Sequence, residues 1–264
     1  MKCFGSEEWN QLTAVAECIE QREYLVPLRK LRDLEVKTSV PGELVAVRLM
    51  KANCYRFLGQ CEPALLECDQ AKTLSRAKED VVASSIVKAQ VLGAFGMHQQ
   101  ALPIVDEALD THPDVDRVGV LLEKGNLPIW LSQEADAVRM LSEALRLSSD
   151  LEDQLALHHL LGVAYSKLGD LSSAKLHLLE ADNPQLRSAY RANNCLYLGI
   201  ALLQERNFDE AARTLLQAKH AFGPENSPPV LYQALADVLD QLGRSAEAIS
   251  FRRHISAISQ HRPN

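Results

Sequence analysis

The sequence predicts an all-α chain, a solenoid built from helix–turn–helix hairpins. Three observations predict it. One pattern recurs at near-constant spacing: Ala52, Ala89, Gly125, Gly162, Gly199 and Ala236 are 37, 36, 37, 37 and 37 positions apart. A period of roughly 20–50 residues is the signature of a repeat array. Within each copy, apolar residues return at i, i+3, i+4 and i+7, the helical period. The composition agrees: 47% of residues are hydrophobic and only 5% aromatic. Leu and Ala dominate, which suits close helix packing, and no window concentrates strand formers.

Residues 158–181 and 195–218 are the clearest copies of the pattern. From each anchoring glycine, a large residue follows at +3 (Tyr165, Leu202), Ala at +12 (Ala174, Ala211), Leu at +16 (Leu178, Leu215) and Ala at +19 (Ala181, Ala218). Taken in order, seven hairpins are expected, at about 8–38, 45–78, 82–114, 118–150, 155–188, 192–224 and 229–258. The first is degraded: Val15 stands 37 residues before Ala52, and Pro27 replaces the small residue of the second helix. Tyr24, Leu31 and Leu34 fall where that helix should pack. The second to fourth hairpins carry Ala64, Ala101 and Ala137 at +12. The last carries Ala248 there. Gly59, Gly96, Gly169 and Gly243 each lie seven residues after an anchor. They supply the left-handed residue that ends a first helix. Pro63 and Pro103 are expected in the opening turns of second helices, where a missing N–H is tolerated. Pro128 is different: it falls inside the first helix of the fourth hairpin, which is expected to kink or end near Leu127.

The totals exclude several classes. The net charge is −7, and nucleic-acid binders carry a basic footprint. No run of 18 apolar residues is present, so no membrane insertion is expected. No apolar leader opens the chain, and the cysteines sit in helical positions. Reduced thiols in a cytoplasmic protein are therefore expected.

The recurring large residue, small residue and Ala…Leu…Ala in a helical hairpin resembles the tetratricopeptide repeat. The resemblance covers about residues 8–258. It implies a right-handed superhelix forming one domain over 1–264, whose first helices line a concave face. It also implies a non-catalytic scaffold or adaptor that binds a peptide or helix of another protein. The inward positions it implies include Asn53, Phe57, Gln90, Asn126, Trp130, His159, Asn193 and Ile200. Asn53, Gln90 and Asn126 share the +1 position of consecutive hairpins. Side-chain amides donate and accept, so such a row can pair with the backbone of an extended peptide; equally, it can be a solvated helix face. Trp130 is one of two tryptophans and is either a binding anchor or packing within its hairpin.

The carboxylate clamp of chaperone-binding relatives is not assembled, because Leu49 and Val87 stand where Lys and Asn are required. The runner-up readings are a sensor module for a ligand or signalling peptide in a bacterial regulatory system, and an assembly factor of a secretion or pilus system. No cofactor or metal is expected. Cys54, Cys61 and Cys68 are spaced by seven, unlike the close pairs of zinc sites; Cys61 and Cys68 read as small buried hydrophobes. His158 and His159 are adjacent and point to different sides of a helix. Asp237 and Asp240 form an acidic end to the face. The last helix presents Ala248, Phe251, Ile255 and Ile258 as a surface for self-association.

Overall fold

The computed structural model describes residues 4–20, 24–186, 188–223 and 227–260. Among them it has fourteen helices and no strand. They pair as seven hairpins. The first four are α1 (Ser6–Glu20) with α2 (Leu25–Glu35), α3 (Pro41–Phe57) with α4 (Cys61–Leu74), α5 (Lys78–Ala94) with α6 (His98–Thr111), and α7 (Arg117–Trp130) with α8 (Glu134–Leu147). The last three are α9 (Leu151–Leu168) with α10 (Leu171–Glu180), α11 (Ser188–Gln204) with α12 (Phe208–Phe222), and α13 (Pro229–Gln241) with α14 (Ser245–Gln260). The chain forms two compact units, Met1–Ala144 and Leu145–Asn264.

In each unit the first helices form a row. In the first unit α3 packs beside α1 and α5, and α5 beside α7; in the second α11 packs beside α9 and α13. The second helices α2, α4, α6, α10 and α12 each pack on the first helix of their own hairpin and on that of the next. The two layers ask for different patterning. Helix α9 is buried without a break from His159 to Ala164. The outer helix α8 buries only the stripe Ala137, Leu141 and Ala144. Solvent reaches one side of an outer helix, so a narrow apolar stripe suffices there.

The small anchors are where paired helices touch. A Cβ added to Gly125 or Gly199 would stand 2.6 Å from Cγ of Leu141 or Leu215, well inside contact distance. The degraded first hairpin closes too. Val15, Leu31 and Leu34 are fully buried. Pro27 is buried in the first turn of α2, where it forfeits no helical bond. Pro103, by contrast, lies inside α6 and not in its opening turn, so its missing N–H removes a helical bond.

The turn seven residues after each anchor is left-handed. Gly59, Gly96, Gly169 and Gly243 have φ between 73° and 81°. In the fourth and sixth hairpins the same conformation is taken by Ser132 (φ 57°) and Arg206 (φ 64°). The turn geometry is thus kept even where glycine is not.

Helix α7 does not end near Leu127. It runs through the buried Pro128 to Trp130. Pro128 lies in the last turn and forfeits the bond its N–H would have made to the Lys124 carbonyl, yet the helix continues two residues past it. Its carbonyl accepts from the N–H groups of Leu131 (3.0 Å) and Gln133 (2.9 Å), which closes the helix.

Cys54 and Cys68 are buried in apolar packing. Desolvation raises their thiols to about 11 and about 12. They are packing residues, as small hydrophobes would be. Cys61 is half-buried.

A charged cluster ties the first hairpin to the second. Arg48 of α3 pairs with Glu35 of α2 (2.5 Å) and Glu67 of α4 (2.8 Å). Lys51 pairs with the same two carboxylates at 3.1 and 2.5 Å. Gln70 accepts from Arg48. Lys51 and Glu67 are buried, so each charge relies on the others for the hydration it lost.

Candidate functional site

In the first unit, α3, α5 and α7 place the predicted row on neighbouring helices. Asn53 and Gln90 are half-buried and each is bound by a charged neighbour. Arg56 donates to Asn53 Oδ1 at 3.0 Å. Gln90 donates through Nε2 to Glu123 Oε1 at 2.7 Å. These bonds settle both amide orientations, because a guanidinium only donates and a carboxylate only accepts. Asn53 therefore keeps its N–H donors for another partner, and Gln90 keeps its carbonyl. Asn126, the next in the row, is half-buried.

Phe57 is exposed (42%) at the end of α3. Tyr24 stacks on it with ring centroids 5.0 Å apart. The Arg56 guanidinium lies 4.3 Å from its centroid. One arginine thus both orients Asn53 and covers the Phe57 ring. Trp130 closes α7, and its side chain lies outside the described residues.

In the second unit the predicted residues separate. His159 is 3% exposed and does not present itself at a surface. Its Nδ1 lies 3.2 Å from Asn194 Oδ1, and Asn194 donates to the Leu178 carbonyl at 3.0 Å. That second bond turns the Asn194 oxygen toward the ring, so Nδ1 of His159 carries the proton. Burial lowers the imidazole to about 4. His159 thus ties α9 to α11 as a neutral ring. Asn193 is half-buried, and Ile200 packs partly against the core of this unit.

The acidic end is largely neutralised. Arg252 of α14 lies 2.5 Å from Asp240 and 3.7 Å from Asp237. On α14, Ala248 is fully buried, Phe251 packs on Tyr232 with centroids 6.0 Å apart, and Ile255 is half-buried. The Ile258 side chain lies outside the described residues. No group of three metal-ligating side chains is assembled, and no helix is long and apolar enough to cross a membrane, among the described residues.

Two partners escape a reading of sequence spacing. Glu123 orients Gln90 from 33 residues away, and His177 meets His158 across the α9–α10 hairpin. Aligning Glu123 to its anchor Gly125 would have placed it on the row of first helices. No helical periodicity connects either pair.

No family model matches the sequence, and a search of curated proteins finds no match. Solved structures do resemble it. A chain of the APC/C hetero-tetramer Cut9–Hcn1 superposes with a TM-score of 0.76 at 18% identity, over 96% of this chain and 46% of that one. The chain therefore spans less than half the length of that relative. PilW, a type IV pilus biogenesis factor, gives 0.60 at 18% identity over 89% of this chain and 100% of the other. A tetratricopeptide repeat protein from Parabacteroides merdae gives 0.58 at 12% identity over 96% and 93%. The chain has the all-α solenoid fold of tetratricopeptide-repeat proteins.

Proposed function

We propose that this chain is a non-catalytic interaction scaffold that holds an extended peptide or a helix of a partner protein along its first helices. One observation carries the reading: the amides of Asn53 and Gln90 are oriented by Arg56 and Glu123. The first offers donors and the second an acceptor, on adjacent helices. An extended main chain presents both kinds of group. The exposed Phe57 ring beside Asn53 adds an apolar contact, and Asn126 and the Trp130 position on α7 continue the proposed face within the first unit; within the second unit Asn193 and Ile200 on α11 are the proposed contact positions. In that second unit the buried His159 ties α9 to α11 through Asn194. The scaffold's partners are proteins, not nucleic acids, in keeping with the net charge of −7. A cytoplasmic setting suits the raised, buried thiols of Cys54 and Cys68.

Self-association through α14 belongs to the same proposal. Ile249 is 47% exposed at the offset where Leu65, Leu102 and Ala212 pack into the cores upstream. Sedimentation of the wild type and Ile249→Glu tests it; a wild-type monomer at every concentration removes it.

A second reading, an assembly factor of a pilus or secretion system, draws on the match to the PilW structure over 100% of that chain. The sensor-module reading has no comparable support.

Site-specific photocrosslinking in the native cell tests the main reading. Probes at Asn53, Gln90 and Asn126 should trap a common partner. Probes at Leu66 on α4 and Leu176 on α10, both exposed outer positions, should not. Equal trapping from both sets would sink the proposal.

A further inference from the structure

The fifth hairpin holds a pair of histidines that face each other. His158 on α9 and His177 on α10 bring Nδ1 to within 3.0 Å of Nδ1. Their ring centroids are 5.1 Å apart. That exceeds the nitrogen separation by little less than the two ring radii, so the nitrogens meet nearly head-on. Two lone pairs cannot face each other at this distance, and neither can two N–H groups. One ring donates and the other accepts. Tyr165 stacks on His177 with centroids 5.5 Å apart and planes 7° apart, which limits how far that ring can turn away.

We infer that His158 and His177 share one Nδ1 proton and make the α9–α10 hairpin a two-step acid switch. At neutral pH the donor ring carries its proton on Nδ1 and leaves Nε2 bare; the accepting ring is protonated on Nε2. The first proton taken up goes to the bare Nε2 of the donor. That ring becomes an imidazolium, and its Nδ1–H···N bond is strengthened by the charge. The second proton has only the accepting Nδ1 to go to. It replaces the bond with two opposed N–H groups on two cations. The hairpin tolerates the first proton and opens on the second.

The surroundings fit this sequence. Burial lowers both imidazoles, and each feels the opposing pull of Glu180, one turn beyond His177 on α10. On α11, which packs on both helices, Glu205 is engaged by Lys175 at 2.6 Å, and Asn194 is engaged by His159 and the Leu178 carbonyl. Glu180 is thus the charge that sets where the first step falls.

Imidazole nitrogen NMR across pH 4.5–8, read beside amide hydrogen exchange, tests the pair. The two rings should titrate in steps separated by about one pH unit or more, as coupled sites do. Exchange from α9 and α10 should accelerate only with the lower step. In His177→Gln the amide can meet His158 Nδ1 as donor or acceptor. His158 should then titrate once, and the low-pH acceleration of α9 and α10 should fall severalfold. The reciprocal His158→Gln reads the same pair from the other side. His159 is intact in both variants, so its own titration cancels from the comparison. Independent single titrations of both rings in the wild type would overturn the inference. So would an exchange profile unchanged by either substitution.

Discussion

The Cβ atom that Gly162 lacks would stand 2.5 Å from Cγ of Leu178, on the facing helix. The same pairing recurs sixteen residues apart along the chain. Glycine anchors at 125, 162 and 199 face Leu141, Leu178 and Leu215. Alanine anchors at 52 and 89 have Cys68 and Val105 at that offset. In these five inner hairpins a larger anchor is matched by a smaller partner; the terminal anchors Val15 and Ala236, with Leu31 and Arg252 at that offset, do not follow the rule.

Gly162→Ala should therefore destabilise the chain, against its helix propensity. An Ala in an open helix gains about 1 kcal/mol over Gly. Here the added methyl must displace a fully buried leucine, and overpacking costs about 1–3 kcal/mol. Net of the propensity gain, a loss of up to about 2 kcal/mol in urea unfolding is expected. Leu178→Val alone should cost about 1 kcal/mol. The double variant recreates the Ala89–Val105 pair and should recover most of the loss from Gly162→Ala. Strict additivity of the two changes would refute the size coupling.

That relationship explains what the sequence could disclose. The period, the seven hairpins and the small anchors were legible, because each unit repeats the same packing and the anchors cannot vary freely. The compensation between Ala89 and Val105 is written in the residue types but has meaning only once the two helices are seen to touch. Individual side chains were less legible. His159 shares a helical offset with inward residues, yet its bond to Asn194 pulls it into the core. Pro128 carries a strong breaking signal, yet α7 runs on to Trp130, and the Pro128 carbonyl closes the helix by accepting from Leu131 and Gln133. Glu123 and His177 act across helices, where no local spacing points.

Ser132 and Arg206 hold left-handed turns that glycine takes in the second, third, fifth and seventh hairpins. A side chain in that region costs about 1–2 kcal/mol. Glycine relieves this and gives back some of the gain through the greater freedom of the unfolded chain. Ser132→Gly and Arg206→Gly should each stabilise by about 0.5–1 kcal/mol. Thermal unfolding of the two single variants checks this. A loss of stability in both would mean that the serine and arginine side chains contribute bonds that outweigh the strain.

Glu67 of α4 completes the charged cluster around Arg48 and Lys51 of α3. Removing it leaves Arg48 and Lys51 to share Glu35, with Lys51 still buried. Glu67→Ala should cost about 3 kcal/mol, because a buried charge left without its partner keeps its desolvation penalty. Lys72→Ala removes an ion pair of 3.8 Å whose two side chains are both well exposed, and should cost well under 1 kcal/mol. Equal effects in urea unfolding would show that burial confers no special weight on the cluster.

Acid should weaken the second unit through His159. In the folded chain burial lowers this imidazole to about 4, while in the unfolded chain it titrates near its ordinary value of 6.5. The folded state therefore prefers the neutral ring. Its contribution is complete above about pH 6.5 and is lost as the pH falls toward 4, where protonating the ring would strand a charge beside Asn194. The difference corresponds to about 3 kcal/mol across that window. His159→Gln places an uncharged donor near the Asn194 oxygen and removes the titration. The variant should start less stable at pH 8, through poorer packing, but lose less than the wild type between pH 6.5 and 4. His158 and His177 add their own slope in both proteins, so the difference between the two curves isolates His159. Parallel stability curves through that window would show that the ring is already solvated in the native ensemble, contrary to its burial between α9 and α11.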